Sequence, residues 1–310
     1  MLLLSMASSQ IEDDEVFYEE SSLKEMPTIK PTFIDLDINK DYLLKAAKKM
    51  QSMLYTAEYL TAENSGQVGN TVYFSDRAHQ QLGADFVPDD AFLDYTDGSN
   101  DITYYIDHKR PSKDIDVQVS NAAIHRAMNT WDEATRSEFG ITERNYNETI
   151  NTGVVAGFFG YGPTVHPIYG YVADVVHAGW LPPAFFDLLA PGGSDFILGV
   201  TFTFVIAIDD ELVDQDQNGK ADVHFREIYY NDKFSWNKES GIDVETVALH
   251  EAGHGLSQGH FGKIFGIDNN PKIHFAPRDV MNASYSGVQT VIENTYSEQH
   301  LVDWRHWPNN

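Results

Sequence analysis

The sequence predicts an α+β or mixed α/β fold. Three observations support it: short β-branched and aromatic runs bounded by Gly and Pro, apolar residues at helical spacing between those runs, and an order of strand, helix, strands, helix, loop, helix. With 310 residues, 42% hydrophobic and 13% aromatic, the chain can build one large domain or two smaller ones with ample core.

Taken in order, residues 8–30 are acidic and polar and are expected to be poorly ordered. Over 41–59, Leu43, Leu44, Ala47, Met50, Leu54 and Ala57 recur at helical spacing, which predicts one amphipathic helix closed off by Gly66 and Gly69. Val72-Tyr73-Phe74 reads as a short strand, and 85–100, rich in Asp, Pro and Gly, as a linker or loop. The expected organisation is therefore an N-terminal segment, 1–98, and a main domain, 99–310.

Ile102-Thr103-Tyr104-Tyr105-Ile106 has strand composition and ends before Pro111-Ser112. A helix is expected over 114–136, with Ile124, Ala127, Met128, Trp131 and Ala134 as the apolar stripe that packs on a sheet. Residues 151–170, rich in glycine and aromatics and carrying Pro163 and Pro167, read as a long ordered loop. Strands follow at 171–176, 196–208 and 223–230, the first two separated by Trp180-Leu181-Pro182-Pro183 and Pro191-Gly192-Gly193. Asp243 can cap a helix whose Val244, Val247 and Ala248 face the core, and a last short helix is read near 297–304.

Lys+Arg 21 against Asp+Glu 47 gives a net charge of -26, so nucleic acid and anionic membranes should be repelled. The longest apolar run, 196–208, is too short to cross a bilayer. The absence of cysteine removes disulfides, thiolate ligands and thiol catalysis. Met1-Leu2-Leu3-Leu4-Ser5-Met6-Ala7 reads either as the tail of a signal peptide or as an ordinary frayed terminus.

The chemistry centres on His250-Glu251-Ala252-Gly253-His254-Gly255-Leu256-Ser257-Gln258-Gly259-His260. His250 and His254 are spaced i,i+4, so on a helix both imidazoles share one face and suit two ligands of a tetrahedral zinc. A third ligand must come from chain that has left the helix; Gly255 and Gly259 permit such a turn, which makes His260 the natural choice. Water in the fourth position would ionise near neutral pH, and Glu251 would take its proton and pass it to a departing amine. The competing reading is a solvated polar helix end.

A second motif, Asp214-Gln215-Asp216-Gln217-Asn218-Gly219-Lys220-Ala221-Asp222, offers oxygens at positions one, three, five and nine with glycine at six, as in an EF-hand-like calcium loop. Lys220 could add its carbonyl. Position twelve is Phe225 rather than a bidentate Glu, with Glu227 nearby, and the competing reading is a plain acidic turn.

The histidine motif resembles that of the metzincin zinc peptidases, and the surrounding sequence looks most like the matrixin branch. Arg278-Asp279-Val280-Met281-Asn282-Ala283-Ser284-Tyr285 is similar to that family's Met-turn, with Met281 beneath the zinc and Tyr285 four residues later. The stretch 102–131 resembles the start of a matrixin catalytic domain, 221–225 resembles the strand that follows its sheet-edge strand, and Leu301, Asp303 and Trp304 fit its C-terminal helix. The likeness covers 101–136 and 172–308. It implies a twisted, mixed five-stranded sheet with an active-site helix and a C-terminal helix, and a secreted zinc endopeptidase acting on protein or peptide. Residues 196–208 fall where the family has the sheet-edge strand that pairs with extended substrate.

The chain departs from the family in four ways. The motif's glycine is Ser257, the interval from His260 to Met281 is long, no cysteine exists to keep a precursor latent, and Thr203 stands where a structural-zinc histidine would lie. His224 is accordingly expected to be a packed strand histidine. Some of 1–98 is expected to be removed on maturation. The rival function is a non-catalytic, calcium-stabilised binding module with a vestigial metal site. Oligomeric state is not legible.

Overall fold

The computed structural model describes residues 34–35, 50–74, 83–87, 101–135, 140–165, 172–209, 211–237, 241–267 and 270–292. All belong to one compact unit, Pro31–Asn310. The expected C-terminal helix at 297–304, with Leu301, Asp303 and Trp304, lies outside the described residues, as does the acidic stretch 8–30.

The fold is α+β, built on a mixed sheet. Its strands are β1 (Ile34–Asp35), β2 (Met50–Thr61), β3 (Thr71–Tyr73), β4 (Ala84–Asp85), β5 (Ile102–Ile106), β6 (Ile141–Glu143), β7 (Val175–Leu181), β8 (Ile197–Ile208), β9 (Glu211–Leu212) and β10 (Ala221–Asn231). Their main path runs β1-β2-β8-β10-β7-β5-β6, with β3 beside β2, β4 beside β10 and β9 beside β8. β6, β5, β7 and β10 are parallel to their neighbours in turn, whereas β10–β8, β8–β2 and β2–β1 are antiparallel. A separate antiparallel pair, β11 (Lys263–Ile267) and β12 (Asn270–Ala276), follows the histidine motif.

Helices cover both faces of this sheet. On one face, α1 (Val117–Thr135) and α4 (Val244–Gly255) pack with Tyr104, Ile106, Leu198, Ile228 and Tyr230. The expected stripe of α1 is in place: Ile124, Ala127, Met128 and Trp131 are buried, and the Trp131 indole N–H donates to Leu249 O at 2.7 Å, locking α1 to α4. On the other face, the short helices α2 (Val154–Phe158) and α3 (Pro183–Phe186) pack with Tyr105, Val176, Phe202, Phe225 and Tyr229. Burial on both faces explains why β7 and β8 are apolar almost throughout rather than alternating; β10 is buried as completely but carries Asp222, His224, Arg226, Glu227 and Asn231.

Several expectations need correction. Among the described residues the sheet has ten strands, not five; β1 to β4 come from the N-terminal segment, so the boundary at 98/99 does not separate it from the strands that follow. The helix expected over 41–59 is, in its described part, strand β2. Met53, Tyr55, Ala57 and Tyr59 are buried as well as Leu60, because β2 is covered on both faces and its spacing imitates a helix. β7 spans Val175–Leu181, later than the expected 171–176, and takes in Trp180 and Leu181. The loop over 151–170 contains the helical turn α2, whose Gly153, Val154 and Val155 N–H groups all donate to the buried Glu227 carboxylate, at 3.0, 2.7 and 3.0 Å. β8 is not a sheet edge: β10 lies on one side of it and β2 on the other.

Candidate metal centre

Helix α4 begins where the sequence places it. Asp243 is the N-cap, its carboxylate accepting the Thr246 N–H at 2.8 Å, and Val244, Val247 and Ala248 are fully buried. His250 and His254 follow on its last two turns. The helix then closes in a Schellman arrangement: Ser257 N–H donates to His254 O at 3.0 Å and Gln258 N–H to Gly253 O at 2.8 Å. This closure requires a left-handed residue, and Ser257 supplies it at φ 68. A glycine there would be free of the cost, about 1 kcal/mol, that a Cβ carries in that conformation. The turn reverses the chain and delivers His260.

The three imidazoles converge. One ring nitrogen from each of His250, His254 and His260 lies within 4.8 Å of the other two. His254 Nε2 and His260 Nε2 stand 3.2 Å apart. Two nitrogens each about 2.0–2.1 Å from one tetrahedral zinc would be about 3.3 Å apart, so the spacing fits a shared ion. The tautomers fit as well. His250 Nδ1 donates to Val280 O at 2.7 Å and His254 Nδ1 to Gln258 O at 2.7 Å, which leaves each Nε2 as a lone pair. His250 Nε2 is buried without a hydrogen-bond partner. A buried acceptor in that state is destabilising unless a cation takes it. Burial holds His250 well below the ordinary histidine pKa and His254 down at about 4; burial, with His254 and His250 beside it, holds His260 well below. All three are neutral near pH 7, the form that binds metal.

Glu251 faces the sheet from the same turn. It is fully buried. Its Oε2 accepts the Thr201 hydroxyl at 2.7 Å and its Oε1 accepts the Leu60 N–H at 3.3 Å. Burial lifts its pKa well above the ordinary carboxylate range, against the lowering effect of those two hydrogen bonds. A carboxylate tuned upward is suited to taking and returning a proton near neutral pH.

Met281 is buried beneath the helix: a Cβ added to Gly253 would lie 2.3 Å from its Sδ. The Met281 segment also supplies the Val280 carbonyl that orients His250. Tyr285 points elsewhere. Its hydroxyl accepts the Asp243 N–H at 3.3 Å, at the start of α4, while its own N–H donates to Thr61 O at 2.8 Å.

The second motif is also assembled. Carboxylate oxygens of Asp214, Asp216 and Asp222 lie within 4.8 Å of one another. Asn218 N–H donates to Asp214 at 3.0 Å and Gly219 N–H to the other Asp214 oxygen at 3.0 Å. The Lys220 ammonium turns away from this loop to pair with Asp85 at 3.1 Å. Glu227 is not available to the loop, since it accepts the N–H groups that open α2 and the Tyr229 hydroxyl at 2.7 Å. His224 is a packed strand histidine: it is buried, its Nδ1 is 2.9 Å from Ser52 Oγ, and burial lowers its pKa to about 3. Among the described residues, these two motifs are the only clusters of three or more histidines or carboxylates close enough to share an ion.

The site also uses residues that sequence reasoning did not single out. Thr201 binds the glutamate, and Glu58 lies 3.6 Å from His254 Nδ1. Arg226 is buried and reaches Gly255 O, Ala84 O and Thr203 Oγ1, each at 3.1 Å, so it bonds the last carbonyl of α4's closing turn. The adjacent charges Arg226-Glu227 in the middle of a strand are the signal that could have drawn attention to it. No protein-family model matches the chain, and no curated protein matches it.

Proposed function

We propose that the chain is a zinc-dependent endopeptidase of the metzincin type, secreted and acting on protein or peptide substrates, with calcium stabilising the acidic loop. The observation that carries this reading is the convergence of three neutral imidazoles, two with Nδ1 fixed by backbone carbonyls and one with an orphaned Nε2, beside a buried glutamate of raised pKa. His250, His254 and His260 would hold the zinc. When bound, it supplies Lewis acidity toward water and toward a peptide carbonyl.

The rest is done by the chain's own side chains. Glu251 takes the proton of the attacking water and returns it to the amine nitrogen as the peptide bond breaks. Thr201 holds Oε2 in place, and Oε1, which here accepts the Leu60 N–H at 3.3 Å, is the oxygen that exchanges the proton once that N–H gives way to substrate. The carbonyls of Val280 and Gln258 keep both helical imidazoles turned toward a common point. Met281 fills the space beneath them. Asp214, Asp216 and Asp222 offer a hard cation an all-oxygen site.

The test is metal content together with cleavage. Purified protein should hold one zinc per chain, lost in His250→Ala and His260→Ala. Digestion of a peptide library should stop with chelator and in Glu251→Ala. Zinc below one per chain in the wild type would overturn the reading, and zinc-bearing protein whose cleavage survives Glu251→Ala would overturn the mechanism.

A further inference from the structure

The groove beside β8 already contains a peptide, and it belongs to the chain itself. β2 pairs antiparallel with β8 from Met50↔Ile208 to Thr61↔Ile197. On its other edge the end of β2 meets the Met281 segment: Thr61 pairs in parallel with Ser284, Tyr285 N–H donates to Thr61 O at 2.8 Å, and Gly69 N–H donates to Ala283 O at 2.7 Å. An extended guest would use these same main-chain groups to add itself to the sheet.

This strand also touches the catalytic side chains. Leu60 N–H donates to Glu251 Oε1, and the Glu58 carboxylate reaches to 3.6 Å from His254 Nδ1. The turn beyond β2 closes over the third histidine: a Cβ on Gly69 would stand 3.1 Å from His260 Cε1 and 2.2 Å from Tyr59 O. Beneath this cover His250, Glu251 and His254 are all completely buried. A peptidase needs an extended chain over its base and metal ligands, and the place for that chain is filled.

The nitrogen within reach of Glu251 is informative. In the proposed mechanism Glu251 returns its proton to the nitrogen of the bond being cut. The nitrogen it contacts here is that of Leu60, so the Tyr59–Leu60 peptide bond lies where a scissile bond belongs.

Resting on the proposed endopeptidase reading, we infer that β2 is a built-in pseudo-substrate: it holds the enzyme latent by strand pairing, without any cysteine, and its release from β8 opens the groove.

The chain contains no cysteine, so a designed pair can lock the strand cleanly. Met53 and Val205 are opposed in register and share one apolar cluster, far from the histidines in sequence. Met53→Cys combined with Val205→Cys should, when oxidised, leave peptide cleavage and peptide-hydroxamate binding at background. Reduction with a phosphine should raise both at least tenfold, with zinc content unchanged. Equal activity in the locked and reduced forms would overturn the inference, and so would no gain on reduction in zinc-bearing protein.

Hydrogen exchange of the full-length wild type gives a second reading that needs neither zinc nor activity. Amides of 51–61 should exchange at least tenfold sooner than those of β10, because a releasable strand opens before the sheet core. A new N-terminus at Leu60 in aged enzyme would support the placement. β2 exchanging no sooner than β10 sinks the latch alone, and zinc below one per chain sinks the proposed function alone.

Discussion

Replacing Gly253 with alanine sets two effects against each other, and their sizes decide the outcome. Gly253 lies inside α4 between the two helical histidines, a position where alanine is ordinarily better by about 1 kcal/mol. Here a Cβ would stand 2.3 Å from Met281 Sδ, 2.9 Å from Met281 Cε and 2.7 Å from Trp131 Cζ2. Trp131 cannot yield, since its ring is buried and its indole N–H is bonded to Leu249 O at 2.7 Å. Met281 can move, but the residue before it orients His250. Overpacking of a filled core costs about 1–3 kcal/mol, and approaches as short as 2.3 and 2.7 Å put this clash in the upper part, about 2–3 kcal/mol, so it outweighs the propensity gain. The net loss should be about 1–2 kcal/mol, or roughly 2–6 °C in Tm for a unit of this size. Urea and thermal unfolding should be followed in chelator, so that metal binding does not mask the difference. Adding Met281→Ala should recover about 1 kcal/mol in a double-mutant cycle. A Gly253→Ala protein as stable as the wild type would refute the packing argument, as would a cycle without coupling.

Three further outcomes follow from the geometry. At Ser257, valine should destabilise the chelated protein by about 2 kcal/mol relative to glycine, because β-branching is poorly tolerated at positive φ; equal melting of the two variants would count against the left-handed turn. His177 and His224 are each held down to about 3 by burial, below the usual histidine value of 6.5, so the unfolded chain binds their protons first and stability is lost as pH falls from 6.5 toward 3. Urea unfolding of His224→Gln at pH 6 and pH 4 should therefore show a shallower pH slope than the wild type, and an unchanged slope would exclude this role. Calcium should raise the Tm of the wild type and have no effect on Asp214→Asn combined with Asp216→Asn; an equal calcium response in both proteins would remove the loop as the binding site.

The parts of the fold legible in the sequence are those whose causes are local. Asp243 caps α4 through a contact three residues away, and the i,i+4 spacing of His250 and His254 fixes their shared face. The stripe of α1 is written in its own periodicity. What was misread depends on partners far along the chain. α2 forms because Glu227 gathers its first N–H groups, and nothing within 151–170 announces that. β2 looked helical because Met50, Leu54 and Ala57 fall at helical spacing, while the strand is covered on both faces by residues distant in sequence. The three converging histidines were legible as a motif. Their surroundings were not: Thr201 and the Leu60 N–H are ordinary groups until the sheet brings them to Glu251.

The strand over the groove is joined to the domain it covers. A tethered guest acts at an effective concentration on the order of millimolar, whatever the dilution of the protein. A free peptide must compete with that, so its apparent affinity for the intact chain understates its affinity for the open groove. Screening against the closed form would therefore select for ligands that displace a neighbour rather than ligands that fit the open groove. Diluting the protein offers no relief, because the competitor is diluted with it and never leaves.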